Sequence, residues 1–386
     1  MLAISPSRLI VGAGENLYSY AFNASRNATS PSVIFEGVIS LLGPSDSGCT
    51  IIALTFIDDG GFDRTLHVTF QDGAIKRVLL TQTTSNHLNQ SASLSVIQSN
   101  LNPMPVEDFV ESLSSEANFI LALSSTGYVR LNDHRPEHTN ASSSTIELNT
   151  RSWIAHLCLQ SSTPYAAFGA ASSTPLTVHS ITDSQLSPRP FAILHTGKGI
   201  ESATDRFSAV YGLSRGPLNS PWGSSPQILV SGWFDGHVRC YDLRSSSRSS
   251  PEPSFGKPST PASLRPVLSL ADRCSYEPIY SVSCGGGSAS YIAAGTARHS
   301  VVSFWDVRSP KNGWSVHAPG NDPSPVYSVA LESSRFFGVT QSRPFVYDFV
   351  CILFSILSGL KELSFFLGSW CLDGHISAHT FNPGHR

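Results

Sequence analysis

Short runs of alternating apolar and polar residues, separated by turn-forming residues, recur along most of the chain. From Ile228 to Arg244 the sequence reads Ile-Leu-Val-Ser-Gly-Trp-Phe-Asp-Gly-His-Val-Arg-Cys-Tyr-Asp-Leu-Arg. This pattern predicts a hairpin: an apolar strand, an Asp235-Gly236 turn, and an alternating strand that ends in Tyr241-Asp242. The same arrangement returns at Tyr291–Arg308, where Trp305-Asp306 end the second strand. A hairpin that repeats along a chain predicts an architecture built from copies of one unit.

Seven such units of three or four short strands can be traced, and they begin at Leu2, Ile51, Phe109, Trp153, Phe207, Ile279 and Val326. The spacing from Asp306 to Asp348 matches the roughly 40–45 residues of one repeat, whereas that from Asp242 to Asp306 exceeds it. The excess predicts an inserted loop, which we place at the Ser- and Pro-rich segment 245–262. The polar segment Thr81–Asn102 predicts a second loop.

Composition favours many short strands over long helices. The 386 residues include 29 Gly and 25 Pro, and only 14% are charged. A formal net charge of −3 argues against a nucleic acid or an anionic membrane as partner. The seven cysteines form no Cys-x-x-Cys pair and the N-terminus has no signal-peptide pattern, so we expect reduced thiols in the cytoplasm or nucleus.

The repeated hairpins with an aromatic-Asp end resemble the WD40-repeat family. The resemblance spans most of the chain; units five to seven match well, and the first four are degenerate and have no Trp-Asp pair. It implies an all-β, seven-bladed β-propeller of the WD40 type over residues 1–349. WD40 propellers are typically scaffolds that bind other proteins.

A closer resemblance lies between Glu277 and Phe349. The segments Pro278-Ile-Tyr-Ser-Val282, Phe304-Trp-Asp-Val-Arg308 and Phe345-Val-Tyr-Asp-Phe349 are similar to the last blades of dactylin-type F-box/WD-repeat proteins. That resemblance implies a substrate receptor of an SCF-type ubiquitin ligase, with the Skp1 adaptor and a cullin as partners. No F-box pattern precedes the first strand in this sequence, so a scaffold unrelated to ubiquitin is the alternative.

The C-terminal part departs from the repeat. Residues 350–369 form an anomalous hydrophobic insertion, and 370–386 contain a possible closing strand at His375–Phe381. A membrane span is disfavoured because Lys361-Glu362 would place two charges at its centre. We interpret the insertion as an untranslated segment that has been read through.

Two motifs suggest catalysis, but their contexts favour other interpretations. Gly212-Leu-Ser214-Arg-Gly216 matches a nucleophile elbow, yet no helix follows, and a loop is expected instead. His134-Arg-Pro-Glu-His138 matches a zinc motif, but Pro136 would break the helix that must carry it. We therefore predict no enzyme, no catalytic residue, no metal and no cofactor, and keep a small-ester hydrolase as the least favoured alternative.

The aromatic-Asp pairs are predicted to be structural. We expect Asp242, Asp306 and Asp348 to accept local backbone hydrogen bonds, and Tyr241, Trp305 and Tyr347 to pack between blades.

The turns between second and third strands should all emerge on one face of a propeller. Trp233-Phe234 is unusual there, because such turns normally carry small or polar residues. Aromatic and Arg side chains are preferred anchors of interfaces. We therefore predict a partner-binding site on these turns, composed of Trp233, Phe234, His237, Arg298, His299 and Arg343.

Overall fold

The structure is a computed structural model. It describes residues 1–22, 33–42, 49–83, 93–101, 108–133, 143–197, 208–245, 260–272, 275–319, 323–349 and 377–380. The predicted zinc motif at 134–138 and the hydrophobic insertion at 350–369 lie outside these ranges.

The described chain consists of strands and one short 3-10 helix at Leu243–Ser245. Blades one to three contain β1 Leu2–Ile4, β2 Arg8–Ala13, β3 Asn16–Phe22, β4 Val33–Ser40, β5 Ile51–Phe56, β6 Thr65–Phe70, β7 Ile75–Thr83, β8 Ser93–Leu101, β9 Val110–Glu116, β10 Phe119–Ser124, β11 Tyr128–Asp133 and β12 Ser143–Glu147. Blades four and five contain β13 Ser152–Cys158, β14 Tyr165–Ser172, β15 Leu176–Thr182, β16 Gln185–Leu186, β17 Ala192–Leu194, β18 Ser208–Arg215, β19 Ile228–Trp233, β20 His237–Asp242, β21 Ala262–Leu264 and β22 Leu268–Ala271. Blades six and seven contain β23 Ile279–Gly285, β24 Tyr291–Thr296, β25 Val301–Asp306, β26 Trp314–His317, β27 Val326–Glu332, β28 Arg335–Thr340, β29 Pro344–Asp348 and β30 Ser377–Thr380.

These strands form seven units built on four antiparallel strands each, with β16 and β21 added to blade four, which confirms the predicted all-β propeller. Five units are separate four-stranded sheets. Blades four and five share one sheet because the end of β14 also pairs with β18, through Ala171 and Ala209. Parallel pairing of β21 with β17 adds an extra edge strand to blade four, so Ala262 belongs to a strand and not to the predicted loop.

The loop predicted at Thr81–Asn102 is wrong, because most of this segment forms paired strands of blade two. The third strand β7 continues to Thr83 and pairs with β8 from Ser93 to Leu101. The polar composition misled the prediction because this hairpin is the outer edge of its blade, where residues 97–100 are exposed. Polar residues are compatible with a strand wherever a sheet faces water.

Within the described ranges the core is divided into seven apolar clusters, one between each pair of neighbouring blades. One of them packs Trp233 and Tyr241 of blade five against Tyr165 of blade four. Another packs Phe337 of blade seven against Leu9 of blade one and so closes the ring. Each blade is therefore buried on both faces, as the uninterrupted burial of β6 and β19 shows.

The first strands of the blades surround a central channel. Each turn between second and third strands lies where the first strand of its blade begins: Phe234 N donates to Ala209 O at 2.9 Å, and Ala297 N donates to Pro278 O at 2.8 Å. We call this end of the channel the upper mouth. The turns that carry the predicted partner-binding residues therefore border the upper mouth.

Blade seven receives its fourth strand from the C-terminal part of the chain. Ser377–Thr380 pairs with β29, with Asp348 opposite Ser377 and Phe345 opposite Thr380. No helix in the described ranges has the length and apolar character that crossing a bilayer requires.

Candidate interaction site at the upper mouth

The structure separates the two neighbouring aromatic residues of the predicted site. Trp233 is fully buried, its Nε1 donates to Ser231 Oγ at 2.7 Å, and the Arg239 guanidinium stacks on its ring at 4.8 Å. Trp233 therefore supports its own hairpin, which corrects its assignment to the exposed site. Phe234, one residue on, is 54% exposed and does face the mouth.

The turn that holds Phe234 is fixed by an ion pair between Asp235 and the buried Arg239. Arg239, almost fully buried, donates to both carboxylate oxygens of Asp235 at 2.9 and 2.6 Å. Burial acts to raise the pKa of Asp235, but hydrogen bonds from His237 and Arg239 outweigh it and hold that pKa well below its ordinary value. His237 is occupied within the same turn, because its Nδ1 lies 3.1 Å from Asp235 O.

The other predicted residues lie on blades six and seven. Arg298 and His299 are exposed, and the Glu277 carboxylate accepts a hydrogen bond from Arg298 N at 2.8 Å and contacts His299 Nδ1. Arg343 is half-buried and its Nε donates to Ser342 Oγ at 3.3 Å. All three lie on turns around the same mouth as Phe234.

Sequence reasoning missed the main feature of the upper mouth, an aromatic wall made of Trp153, Tyr211, Tyr280 and Tyr327. Each is the extra residue of a β-bulge near the start of the first strand in blades four to seven. A bulge reorients its extra side chain relative to the regular alternation of the strand. Ring centroids along the wall are 5.1 Å, 5.1 Å and 6.2 Å apart, and Phe234 lies 6.5 Å from Tyr211.

A repeated motif could have revealed this wall. The sequence reads Val210-Tyr-Gly-Leu213, Ile279-Tyr-Ser-Val282 and Val326-Tyr-Ser-Val329 in three consecutive units, each with an aromatic residue second. An aromatic residue at the same position of neighbouring repeats indicates a shared surface, because equivalent positions of a propeller lie side by side around its axis.

Below the aromatic wall the channel is a cavity of about 480 Å³ with mainly apolar sides. Leu54, Leu113, Ile154, Leu213, Val282 and Val329 line it. Glu111, the bulge residue of blade three, is the only side-chain carboxylate among the described lining residues, and no Lys, Arg or His side chain lines the cavity there.

Glu111 is paired with Arg151 at the edge of the mouth. Arg151 Nη2 lies 3.1 Å from Glu111 Oε2, and the same guanidinium lies 4.0 Å from the ring of Trp153. Burial raises the pKa of Glu111 in spite of the nearby Arg151 charge. Trp153 Nε1 is buried and has no hydrogen-bond acceptor among the described residues.

The aromatic-Asp pairs occupy positions away from the mouth. Tyr241 OH donates to His195 O of blade four at 2.8 Å, Trp305 packs against blade five, and Tyr347 packs against blade six and donates to His317 O. Each of these aromatic side chains joins its blade to the preceding one.

Asp242 and Asp306 each accept the backbone N–H and the guanidinium of an arginine two residues later. Asp348, for which the same kind of local hydrogen bond is predicted, does not follow this pattern. It is buried with no hydrogen-bond partner for Oδ1 in the described part of the chain, and the sequence has Val350 where the other repeats have arginine.

The possible nucleophile Ser214 is a strand residue. It lies within β18, opposite Val230, and its Oγ donates to Arg215 O at 3.1 Å. The loop predicted for this motif is therefore wrong, since the strand continues to Arg215. A nucleophile elbow requires a strand-to-helix turn, so Ser214 does not have the geometry of an elbow serine.

Two solved structures share this architecture at low sequence identity. Sqt1 of Saccharomyces cerevisiae matches 90% of this chain and 80% of its own, with 12% identity and a TM-score of 0.54. A chain of the mitotic checkpoint complex matches 89% of this chain and 88% of its own, with 14% identity and a TM-score of 0.56. No protein-family model and no curated protein matches the sequence. At these identities the similarity establishes the fold, a β-propeller of the WD40 type.

Proposed function

We propose that the chain is a non-catalytic scaffold that binds a partner protein at the upper mouth. The observation that carries the proposal is the aromatic wall of Trp153, Tyr211, Tyr280 and Tyr327 on one rim of the channel. Aromatic residues are enriched in protein interfaces because they bury a large apolar area and lose little side-chain entropy.

Exposed aromatic residues extend this rim. Phe234 is 54% exposed, Tyr276 is 76% exposed, and Tyr327 is 43% exposed. Tyr276 lies three residues before the first strand of blade six, and its carbonyl carbon is 3.0 Å from the position of a Cβ at Gly236, so it lies beside the Phe234 turn. Large apolar side chains grouped on one face mark an interaction surface, whereas scattered single ones do not.

The experiment is a quantitative affinity purification with wild-type protein and a Phe234→Ala, Tyr276→Ala double variant. The matched control is Phe62→Ala, which removes an aromatic residue that is 64% exposed on the loop between β5 and β6, at the opposite end of the channel. We expect specific partners to be lost from the double variant and kept by the control. An unchanged partner set with both variants folded would contradict the proposal.

A more specific proposal is that the scaffold presents substrates to an SCF-type ubiquitin ligase in the cytoplasm or nucleus. Its support is the similarity of the segments between Glu277 and Phe349 to dactylin-type F-box/WD-repeat proteins. Skp1 and a cullin should then co-purify with the native gene product. Their absence would favour a general assembly scaffold, which is compatible with a similar fold in the mitotic checkpoint complex.

A further inference from the structure

We propose that the upper mouth accepts a cationic side chain, of the lysine or arginine type, from the partner polypeptide. This inference rests on the interaction function proposed above and names the chemistry of its central contact. It follows from the juxtaposition of the aromatic wall with Glu111.

Glu111 is the one charged side chain among the described residues that line the cavity. The Met1 α-amino group also lies there, but it donates to Gly12 O at 2.9 Å and burial lowers its pKa to about 6. The faces of Trp and Tyr rings carry partial negative charge and attract ammonium and guanidinium groups within about 6 Å of the ring centre. Four such rings line the same cavity as Glu111, and no Lys, Arg or His side chain lines it among the described residues. An anionic or phosphate-bearing ligand would meet repulsion there.

The Glu111 carboxylate is only partly compensated within the chain. It receives one contact from Arg151, at 3.1 Å, and three-quarters of its side chain is removed from solvent. Its pKa is raised because desolvation exceeds the stabilising effect of Arg151. A second cation inside the channel would therefore find a carboxylate that still gains from an opposite charge.

Arg151 shows that the mouth can hold a guanidinium. Its side chain contacts the same carboxylate and lies 4.0 Å from the ring of Trp153, yet it stays 42% exposed at the outer edge. It is absent from the residues that line the cavity. An incoming side chain would occupy the deeper position and compete with Arg151 for Glu111.

The cavity has a suitable size for this occupant. Its volume of about 480 Å³ falls in the ordinary range of ligand pockets, which is roughly 300–1,000 Å³. The apolar sides below the wall, including Leu213 and Val282, suit the methylene stem of a lysine or arginine, which packs on apolar surface while its charged end finds polar partners.

The test measures binding of four capped peptides to the full chain by isothermal titration calorimetry. The peptides are acetyl-Gly-Gly-X-Gly-Gly-amide, with lysine, arginine, norleucine or glutamate at X. We expect lysine and arginine peptides to bind about tenfold more tightly than norleucine, with no binding of the glutamate peptide. Equal binding of norleucine would overturn the cation preference and leave the interaction function standing.

Two substitutions at the mouth should act in opposite directions. Glu111→Gln should weaken lysine and arginine binding about tenfold, whereas Arg151→Gln should strengthen it because the competing cation is removed. The matched control is Glu147→Gln, which removes a carboxylate from the exposed outer strand of the same blade. Weaker binding for both mouth variants, or no binding of any peptide, would overturn the inference. Failure of the proposed function itself would appear separately, as unchanged partner capture by the Phe234→Ala, Tyr276→Ala variant.

Discussion

At the residue scale, Trp233 and Phe234 show that neighbouring aromatic residues can have opposite roles. Trp233→Ala should lower the free energy of unfolding by about 3–5 kcal/mol, because it empties a fully buried site and removes the stacking partner of Arg239. Phe234→Ala should change it by about 0.5 kcal/mol or less, since that ring is more than half exposed. Urea denaturation of both variants checks this, and comparable losses would contradict the assigned positions.

His156 predicts a specific acid sensitivity. Burial, followed by the Arg215 charge, lowers its pKa from 6.5 to about 4. The unfolded chain therefore takes up this proton before the folded chain does, so the stabilisation is complete above pH 6.5 and is lost between pH 6.5 and 4. Stability measured across this range should fall less steeply for His156→Gln than for wild type, and parallel curves would contradict the prediction. Asp235 acts at lower pH, because its own pKa lies below the usual carboxylate range.

Sequence reasoning located the turns of the site but not its wall, for a physical reason. The turn at Phe234 could be recognised from the sequence, because a large aromatic residue is unusual at a turn position. Tyr211 and Tyr280 look like ordinary strand residues, and only a bulge, which depends on pairing, turns them to the mouth. The role of Glu111 depends on Trp153 and Arg151 of the next blade, which alternation along one strand cannot reveal.

At the element scale, glycine on the second strand of several blades sets how closely blades approach. A Cβ added at Gly232 would lie 2.5 Å from Ile279 Cγ2 and 3.1 Å from Val282 Cγ1, both on the first strand of blade six. Gly12 meets Leu54, and Gly295 meets Val326, in the same way. The repeated glycine therefore reflects packing of the next blade and not a turn.

Gly232→Ala should consequently destabilise the protein by about 1–3 kcal/mol through overpacking. Gly287→Ala, in the turn between β23 and β24, is the matched control. A Cβ at Gly287 would have only Ser333 O within 4 Å, at 3.8 Å. Thermal unfolding of both variants checks the prediction. A control that loses as much stability as Gly232→Ala would contradict blade packing as the cause of the effect.

At the scale of the whole molecule, the propeller is a closed ring whose continuity passes through blade seven. Strand count and repeat could be predicted because each hairpin carries its own turn signal. Closure of the ring could not be predicted from local pattern. It depends on residues far apart in sequence, since Phe337 and Val346 of blade seven pack against Leu9 and Val11 of blade one. It depends equally on a strand that follows 28 residues of intervening sequence.

The same closure yields a prediction about the anomalous insertion. Because Asp348 lies opposite Ser377, the ends of the segment between them are neighbours in the sheet. Hairpin connections need only a few residues, so deleting 350–369 leaves enough chain to join β29 to β30. That variant should unfold at the wild-type temperature or slightly above it, as expected when the connection between two paired strands is shortened.

Deleting 377–380 should have the opposite effect. It removes the strand that pairs with Phe345–Asp348 and leaves an unpaired sheet edge, which favours association with other chains. We expect a lower unfolding temperature and aggregates in light scattering for this variant, and neither for the deletion of 350–369. If the two deletions behaved alike, the insertion would have a structural role in the ring, and its interpretation as a read-through segment would be wrong.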